Sequence, residues 1–519
     1  MKMLFLQILI LFLCLPILFA QHKNDNIWLL GYTNEDTSTV LGGFSMEFTE
    51  ESFMISTLKY NIGGVAVSNA SICDDTGNLQ VYSNGCFIAN QKHEVIENGD
   101  DINPGDIHEE WCEAIGSYLS SGSTTILPIP EHPDEYIYFY ERFNEDLYTD
   151  GLLYAYIDMN QNDGDGKVIQ KNEVLLEDTL FVYITAVRHG NGRDWWLVVP
   201  SGSPSRDFNL FLLSPVGLEG PFFRSYPPAS EPPFGTEYSF GGPTQAVFTP
   251  DGSKYCRVNR LYGIEIYDFD RCTGEFSIRK KLPLPPLTEE AIRQNDTTLL
   301  NLDVGGAGMA ASPNSRYLYV SNLRELYQID LCDQQYQMQL IDTYNGALKP
   351  LFPASFFQMQ LAPDGKIYMS SGSTVNVLSV IQDPDKPGKL CDFAQHGVAL
   401  PRYTGFVLPN FPHFRLLDLP GSPCDSLGID APPKEGPAYP AFTLFPNPAR
   451  NEVHLFIPDC KDARLEIFNA AGQFLYQSPR LTGEASYDLD ITLWPSGVYF
   501  VVFTNGDGGV ATQKLVIAR

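Results

Sequence analysis

Six times along the chain a short apolar run breaks at a polar turn and resumes as a run rich in Tyr or Trp. Ser71–Cys73 leads through Asp74–Asn78 into Leu79–Tyr82, and Thr125–Pro130 leads through His132–Asp134 into Tyr136–Tyr140. Ile184–Val187 leads through Gly190–Asp194 into Trp195–Val199. The stretches Val247–Tyr255, Ala311–Tyr319 and Leu361–Tyr368 repeat the pattern. Short apolar runs on either side of a tight turn predict β-hairpins. In Pro250-Asp251-Gly252 the proline sets φ on entry, the carboxylate bonds back to the backbone, and the glycine takes the left-handed position. An outer strand pair follows most turns, as in Gly263–Phe269 and Glu325–Asp330. The turns recur about every 50 to 60 residues, the span of a four-stranded propeller blade with generous loops. With the strand-like segment Ile27–Tyr60 added, the pattern predicts an all-β chain built on a β-propeller of seven blades, six being the alternative count. Helical periodicity is confined to Thr288–Arg293 and the extreme N-terminus. Val407–Phe411 is expected to close the ring by pairing with early strands.

Both ends depart from this rhythm. Lys2 precedes an apolar run, Met3–Phe19, that ends at Ala20 before Gln21-His22-Lys23, which reads as a signal peptide over residues 1–20. An uncleaved anchor needs about 20 apolar residues, and the run falls short of that. A lipoprotein reading centred on Cys14 is opposed by Leu13, where a small residue is wanted. No later stretch is long and apolar enough for a membrane helix, so no integral segment is expected after cleavage. The propeller is assigned to 21–417. Pro- and Gly-rich residues 418–440 read as a semi-extended linker. Residues 441–519 alternate strands and turns as a separate, small Ig-like β-sandwich.

Composition narrows the partners. The 519 residues carry 34 Lys and Arg against 63 Asp and Glu, a formal charge of -29. Such an excess repels phosphate backbones, so nucleic acid is excluded, and anionic membrane surfaces are disfavoured. Ten cysteines occur without a C-x-x-C pair, so the spacing of a structural zinc site is missing. In an oxidising compartment some of the nine that follow the leader are expected to pair, leaving at least one free.

Several clusters invite a chemical reading. His189, Asn191, Arg193 and Asp194 stand beside Trp195 and Trp196, which suits a ligand-binding rim where indoles stack a sugar. The alternative is a hairpin turn tied down by its own side chains, with the two indoles on opposite sheet faces. Asp158–Gly166 begins like a calcium loop, yet Asp163 stands where glycine belongs and Ile169 where the bidentate Glu belongs, so a hairpin loop is the reading adopted. His108-Glu109-Glu110-Trp111-Cys112 lacks the second histidine of a zinc protease and reads as an acidic loop. No G-x-S-x-G elbow occurs. No catalytic residue, cofactor or metal ligand set is assigned. Asp425-Ser426-Leu427 matches a short O-glycosylation motif.

The tail resembles the C-terminal sorting domain of the type IX secretion system of Bacteroidetes. The carrying residues are Phe445-Pro446-Asn447-Pro448, the strand and turn Leu465–Gln473 with Gly472, Trp494–Phe500 with Gly497 and Tyr499, and Lys514-Leu515-Val516. The body, through Thr185–Trp196, Tyr267–Gly274 and Leu408–Phe411, resembles propeller regions of large exported proteins of the same bacteria. The resemblance implies the secretion machinery as a partner and a secreted or cell-surface location. It also implies removal of the sorting domain. The function expected is non-catalytic binding or adhesion, with a glycan or a surface protein as ligand. The alternatives are an exported polysaccharide hydrolase or lyase with carboxylates in the propeller funnel, and a structural part of the envelope or motility apparatus.

Overall fold

The computed structural model describes residues 22–425 and 443–518 apart from loop segments, the longest being 226–244 and 286–306. Seven antiparallel sheets follow one another along residues 27–404. The first two, within Ile27–Leu58 and Ala70–Asn90, have three strands each; the five beginning at Thr124, Thr185, Gln245, Met309 and Phe356 have four. In each sheet the strands lie in chain order, so every sheet is a meander and can be counted as a blade. The inner strands Ile27–Gly31, Ala70–Cys73 and Thr124–Pro128 neighbour one another in sequence, as do Thr185–Arg188, Gln245–Phe248, Met309–Ala311 and Phe356–Leu361. The outermost strand of blade 7, Phe393–Thr404, packs against blade 1, which brings the last blade round to the first. Among the described residues seven blades are present, the preferred count.

All six turns picked out by their polarity join the inner strand of a blade to the next strand. Their side chains work as the turn chemistry requires. Asp74 Oδ1 accepts the N–H groups of Thr76 and Asn78, Asn191 Oδ1 those of Arg193 and Asp194, and Asp251 Oδ1 that of Ser253. Gly252 sits at φ +71° and Gly365 at +76°, whereas the fifth turn places Ser315 in the same left-handed region at +59°. Between blades, aromatic side chains fill the space: Tyr138, Tyr140, Tyr154, Tyr255, Tyr319 and Tyr368 are almost wholly buried. This explains why Tyr rather than smaller residues follows the turns, since a fan of diverging sheets leaves wide gaps to fill.

Two expectations need correction. His108–Cys112 lies in a helix, Asp106–Ala114, and not in an acidic loop. The helix buries Ile107, leaves its acids exposed, and is tethered by the disulfide Cys86–Cys112. With one apolar anchor and a covalent tie, it shows too little periodicity to be seen in the sequence. The second correction concerns ring closure. Val407–Phe411 does not pair as a strand with any early strand; it enters the ring in irregular conformation, as described below. Thr288–Arg293, expected to be helical, and the leader lie outside the described residues.

The C-terminal sandwich is built around one long strand, Glu452–Asn469. Its first half pairs with Thr443–Phe445 and Leu481–Asp490, and its second half with Phe474–Gln477 and Gly497–Thr504. Val510–Ile517 completes the second sheet beside Gly497–Thr504. Leu444, Val453, Leu455, Leu465, Ile467, Leu489, Val501 and Leu515 form its core, which is separate from the cores of the propeller.

Candidate functional site

A propeller offers two places for function, its central channel and its rims. The channel here is occupied by the chain itself. After blade 7, Gly405 lies so close to Ala66 that an added Cβ would sit 2.1 Å from the Ala66 carbonyl oxygen, so a glycine is required at this entry point. Ser370 Oγ then donates to the Phe406 carbonyl at 2.7 Å, and the Leu408 N–H reaches Gln358 of the blade 7 inner strand at 3.3 Å. On the opposite side Asn410 Nδ2 donates to the carbonyls of Thr124 and Ile184 at 3.0 and 2.9 Å, joining blades 3 and 4. Phe411 packs near Trp28 of blade 1 and Phe414 edge-on to Trp195 of blade 4. Residues 405–414 therefore cross the ring from blade 7 to blades 3 and 4. A cavity of about 50 Å³ lies beside this plug. Ligand pockets commonly measure about 300 to 1,000 Å³.

Charged groups lock the plug where it emerges. Arg415 Nη1 meets both carboxylate oxygens of Asp25 at 2.6 Å. Burial pushes the Asp25 carboxyl up despite the opposing pull of Arg415. Arg188 donates to the Phe414 carbonyl and lies 4.3 Å from the Trp195 ring centre, and Arg271 donates to the carbonyls of Arg188, His189 and Leu417. Burial pulls both guanidinium groups down to about 10. His413 sits half-buried among these cations. Desolvation, then Arg415, Arg188 and Arg271, push its imidazole down to about 4, with Asp251 opposing. The disulfide Cys272–Cys424 fastens the chain beyond the plug to blade 5, and Leu419 N–H bonds to the Gly190 carbonyl. The first residues of the expected linker are thus docked on the propeller, while 426–442 lie outside the described residues.

The polar cluster at 189–194 is absorbed by this architecture. Asn191 Nδ2 bonds to Asp194 at 2.7 Å, Arg193 Nε to Asp194 at 2.7 Å and Arg193 Nη1 to Glu131 at 2.9 Å, while the His189 ring meets the Cys272 carbonyl at 3.0 Å. Trp195 and Trp196 are 1% and 4% exposed and belong to two different cores, so neither presents a face to a sugar. Asp158–Gly166 forms a hairpin loop in which the Asp158 carboxylate accepts from Asn160 and Gln161, and Asp165 pairs with Lys92. Cys73, Cys256 and Cys391 are buried thiols and Cys332 is exposed. Burial pushes the Cys73 and Cys256 thiols up to about 12, which makes them unreactive.

The residues assigned to the tail do converge. Asn447, 7% exposed, donates from Nδ2 to the Lys514 carbonyl at 2.6 Å and accepts the Val516 N–H through Oδ1 at 2.7 Å. Its side-chain amide thus imitates a neighbouring strand for the last strand of the chain. Ala449 continues the contact by a parallel bridge to Ile517. Tyr499 lies opposite Leu515, and its hydroxyl donates to the Pro495 carbonyl at 2.7 Å. Gly497 opens that strand opposite Ile517. Pro446 and Pro448 flank Asn447, Phe445 ends the first strand opposite His454, and Gly472 lies outside the described residues. The opening motif and the terminal strand, about 70 residues apart, are one structural unit.

Residues 443–518 match the family model of the secretion system C-terminal sorting domain. The tail is a type IX sorting domain. No curated protein sequence matches the chain. Among solved structures, a gluconolactonase from the Pseudomonas aeruginosa periplasm, PpgL, is similar at 13% identity and a TM-score of 0.40, covering 74% of this chain and 100% of its own. A protein of unknown function from Desulfotomaculum acetoxidans is similar at 14% identity and a TM-score of 0.36, covering 75% and 99%. PorZ, a surface component of the type-IX secretion system of Porphyromonas gingivalis, is similar at 12% identity and a TM-score of 0.32, covering 95% of this chain and 66% of its own. The sorting domain directs the chain to export, to the cell surface or the medium. Among the described residues no helix is long and apolar enough to cross a membrane.

Proposed function

We propose that this protein acts outside the cell as a non-catalytic binding or adhesion protein that presents the rims of its propeller to a glycan or a surface protein. One observation carries the reading: residues 405–414 cross the central channel, and the cavity beside them measures about 50 Å³. A hydrolase with carboxylates in the funnel needs two or three converging acids there. Of the described residues lining the remaining space, the one acid is Asp25, held by Arg415. A filled channel makes the ring rigid and leaves the loops as the accessible surface. The sorting domain at 441–519 and the secretion machinery as its partner are parts of the same reading, with Asn447, Tyr499 and Lys514–Val516 holding the fold that the machinery meets. Purified protein applied to arrays of polysaccharides and of host and bacterial surface proteins is expected to bind without turnover. Release of shortened sugars from any bound polysaccharide would overturn the reading.

A further inference from the structure

Among the described residues four arginines are exposed by 5% or less: Arg188, Arg257, Arg271 and Arg324. Three of them have acceptors. Arg188 and Arg271 donate to backbone carbonyls, and Arg257 meets the Glu265 carboxylate at 2.6 Å. The guanidinium of Arg324, a residue only 4% exposed, has no hydrogen bond or ion pair among the described residues, and none of their carboxylates acts on it. Its Cζ lies 4.9 Å from the Tyr344 ring centre. Burial pulls the guanidinium down, with Tyr344 opposing. His396 stands edge-on to the same ring at 5.6 Å, and its Nε2 is enclosed without a hydrogen-bond partner among the described residues. Arg324 belongs to the two-residue turn that joins Tyr317–Asn322 to Glu325–Asp330 in blade 6. The Leu323 and Arg324 carbonyls accept the N–H groups of Phe356 and Tyr344 at 2.6 and 2.7 Å, which fixes the turn. Because successive strands are antiparallel, this turn lies on the rim opposite the inner hairpin turns and the emerging plug.

We propose that Arg324 anchors the carboxylate of a ligand at this rim, beside His396, the ligand being an acidic saccharide unit or a free small organic acid. The inference rests on the binding reading above and narrows it to one ligand chemistry. A charge taken out of water needs a counter-charge or acceptors, and the other three buried arginines find them within the chain. At Arg324 the described residues supply none, so the acceptor comes from outside. A guanidinium offers a rigid planar fork of N–H donors that matches the two oxygens of a carboxylate. The formal charge of -29 repels polyanions, so an isolated carboxylate suits the chain better than a densely sulfated polymer. With the Tyr344 ring against the guanidinium and the turn bonded through its backbone, the fork is held in place before the ligand arrives.

Ligand-observed nuclear magnetic resonance on the full chain tests this, with D-glucuronate, acetate and D-glucose as probes at constant ionic strength. Glucuronate is expected to bind and glucose not to. Tighter binding of glucuronate than of acetate would assign the carboxylate to a saccharide, and equal binding would assign it to a free acid. Arg324→Met should weaken binding of the carboxylate probes by at least about tenfold. Methionine keeps an unbranched apolar stem and removes an uncompensated charge, so the variant is expected to fold, judged by near-ultraviolet circular dichroism. Should it fold poorly, Arg324→Lys keeps the charge but loses the planar fork, and is also expected to bind more weakly. Failure of both carboxylate probes to bind, or unchanged affinity in the folded variant, would overturn the proposal. Array binding that survives in that variant would leave the broader binding reading standing, so the two can fail separately.

Discussion

The propeller and the sorting domain solve closure differently. Each blade is a local meander whose strands follow one another in sequence, and the ring closes only where the last strand of blade 7 packs against blade 1 without joining its sheet among the described residues. Among the described residues no strand is shared between the first and last blades; a plug crosses the ring, and an ion pair and a disulfide spanning 152 residues fasten the chain where it leaves the plug. In the sandwich the long strand Glu452–Asn469 belongs to both sheets, so one element unites the domain, and Asn447 pins the two ends together. The repeat architecture gains size by local additions and depends on a few remote contacts. The small domain depends on a single shared strand and one side-chain lock. The two should therefore lose stability separately.

The largest break in that comparison is expected at the plug lock. Asp25→Ala removes the partner of Arg415 and leaves a guanidinium near His413 and the Arg188 and Arg271 cations. Leaving one member of a buried ion pair uncompensated costs about 3 to 5 kcal/mol. Denaturant unfolding of the full chain should show the propeller transition shifted by that amount and the sorting-domain transition unmoved. A shift of both together would show that the domains unfold as one unit, and the contrast drawn above would fail.

The second effect is acid sensitivity confined to the propeller. His413 titrates near pH 4 when folded and near 6.5 when unfolded, so between those values the unfolded chain binds more protons. Stability present above pH 6.5 is therefore lost as the pH falls to about 4, amounting to roughly 3 kcal/mol. His413→Asn should flatten that part of the propeller's stability profile. An unchanged slope in the variant would show that other groups carry the acid response.

What could be read from the sequence divides along the same line. The six inner hairpins were legible because their turns are local: Asp74, Asn191, Asp251 and Asn314 each bond to backbone within a few residues. The blade count followed from their spacing, and the tail from motifs that lie in order within about 75 residues. The plug was legible as an important segment but its mode of action was not. Asn410 meets carbonyls more than 220 residues away, and nothing in Leu-Pro-Asn-Phe states whether it will pair as a strand or thread a channel. The helix Asp106–Ala114 was missed because a disulfide and one buried isoleucine hold it where a longer helix would need an apolar stripe. The cluster at 189–194 looked functional because tie-down of a turn and recognition of a ligand use the same residue types.

A smaller pair of substitutions sharpens the comparison by matching the chemistry. Asn410→Ala and Asn447→Ala each delete a buried amide that satisfies backbone groups, at an expected cost of about 2 kcal/mol each. The first should lower only the propeller transition and the second only that of the sorting domain. Asn447→Ala should also reduce the amount of protein recovered outside the cell, because the terminal strand loses its lock. Equal secretion of the two variants would separate the Asn447 lock from export.

The smallest expected effect lies at the turn that looked most like a binding rim. Arg193 is 30% exposed and pairs with Asp194 and with the half-exposed Glu131. The exposed pair with Glu131 contributes about 0 to 1 kcal/mol, and the buried Asp194 carboxylate keeps its hydrogen bond from Asn191, so Arg193→Ala should barely move the propeller transition. If the cluster only ties down its hairpin, binding to any array hit will be unchanged within error in this variant. A loss of binding of more than about tenfold, worth about 1.4 kcal/mol, could not come from so weak a structural contribution. It would return the 189–194 turn to the list of ligand contacts and place recognition on the rim beside the emerging plug.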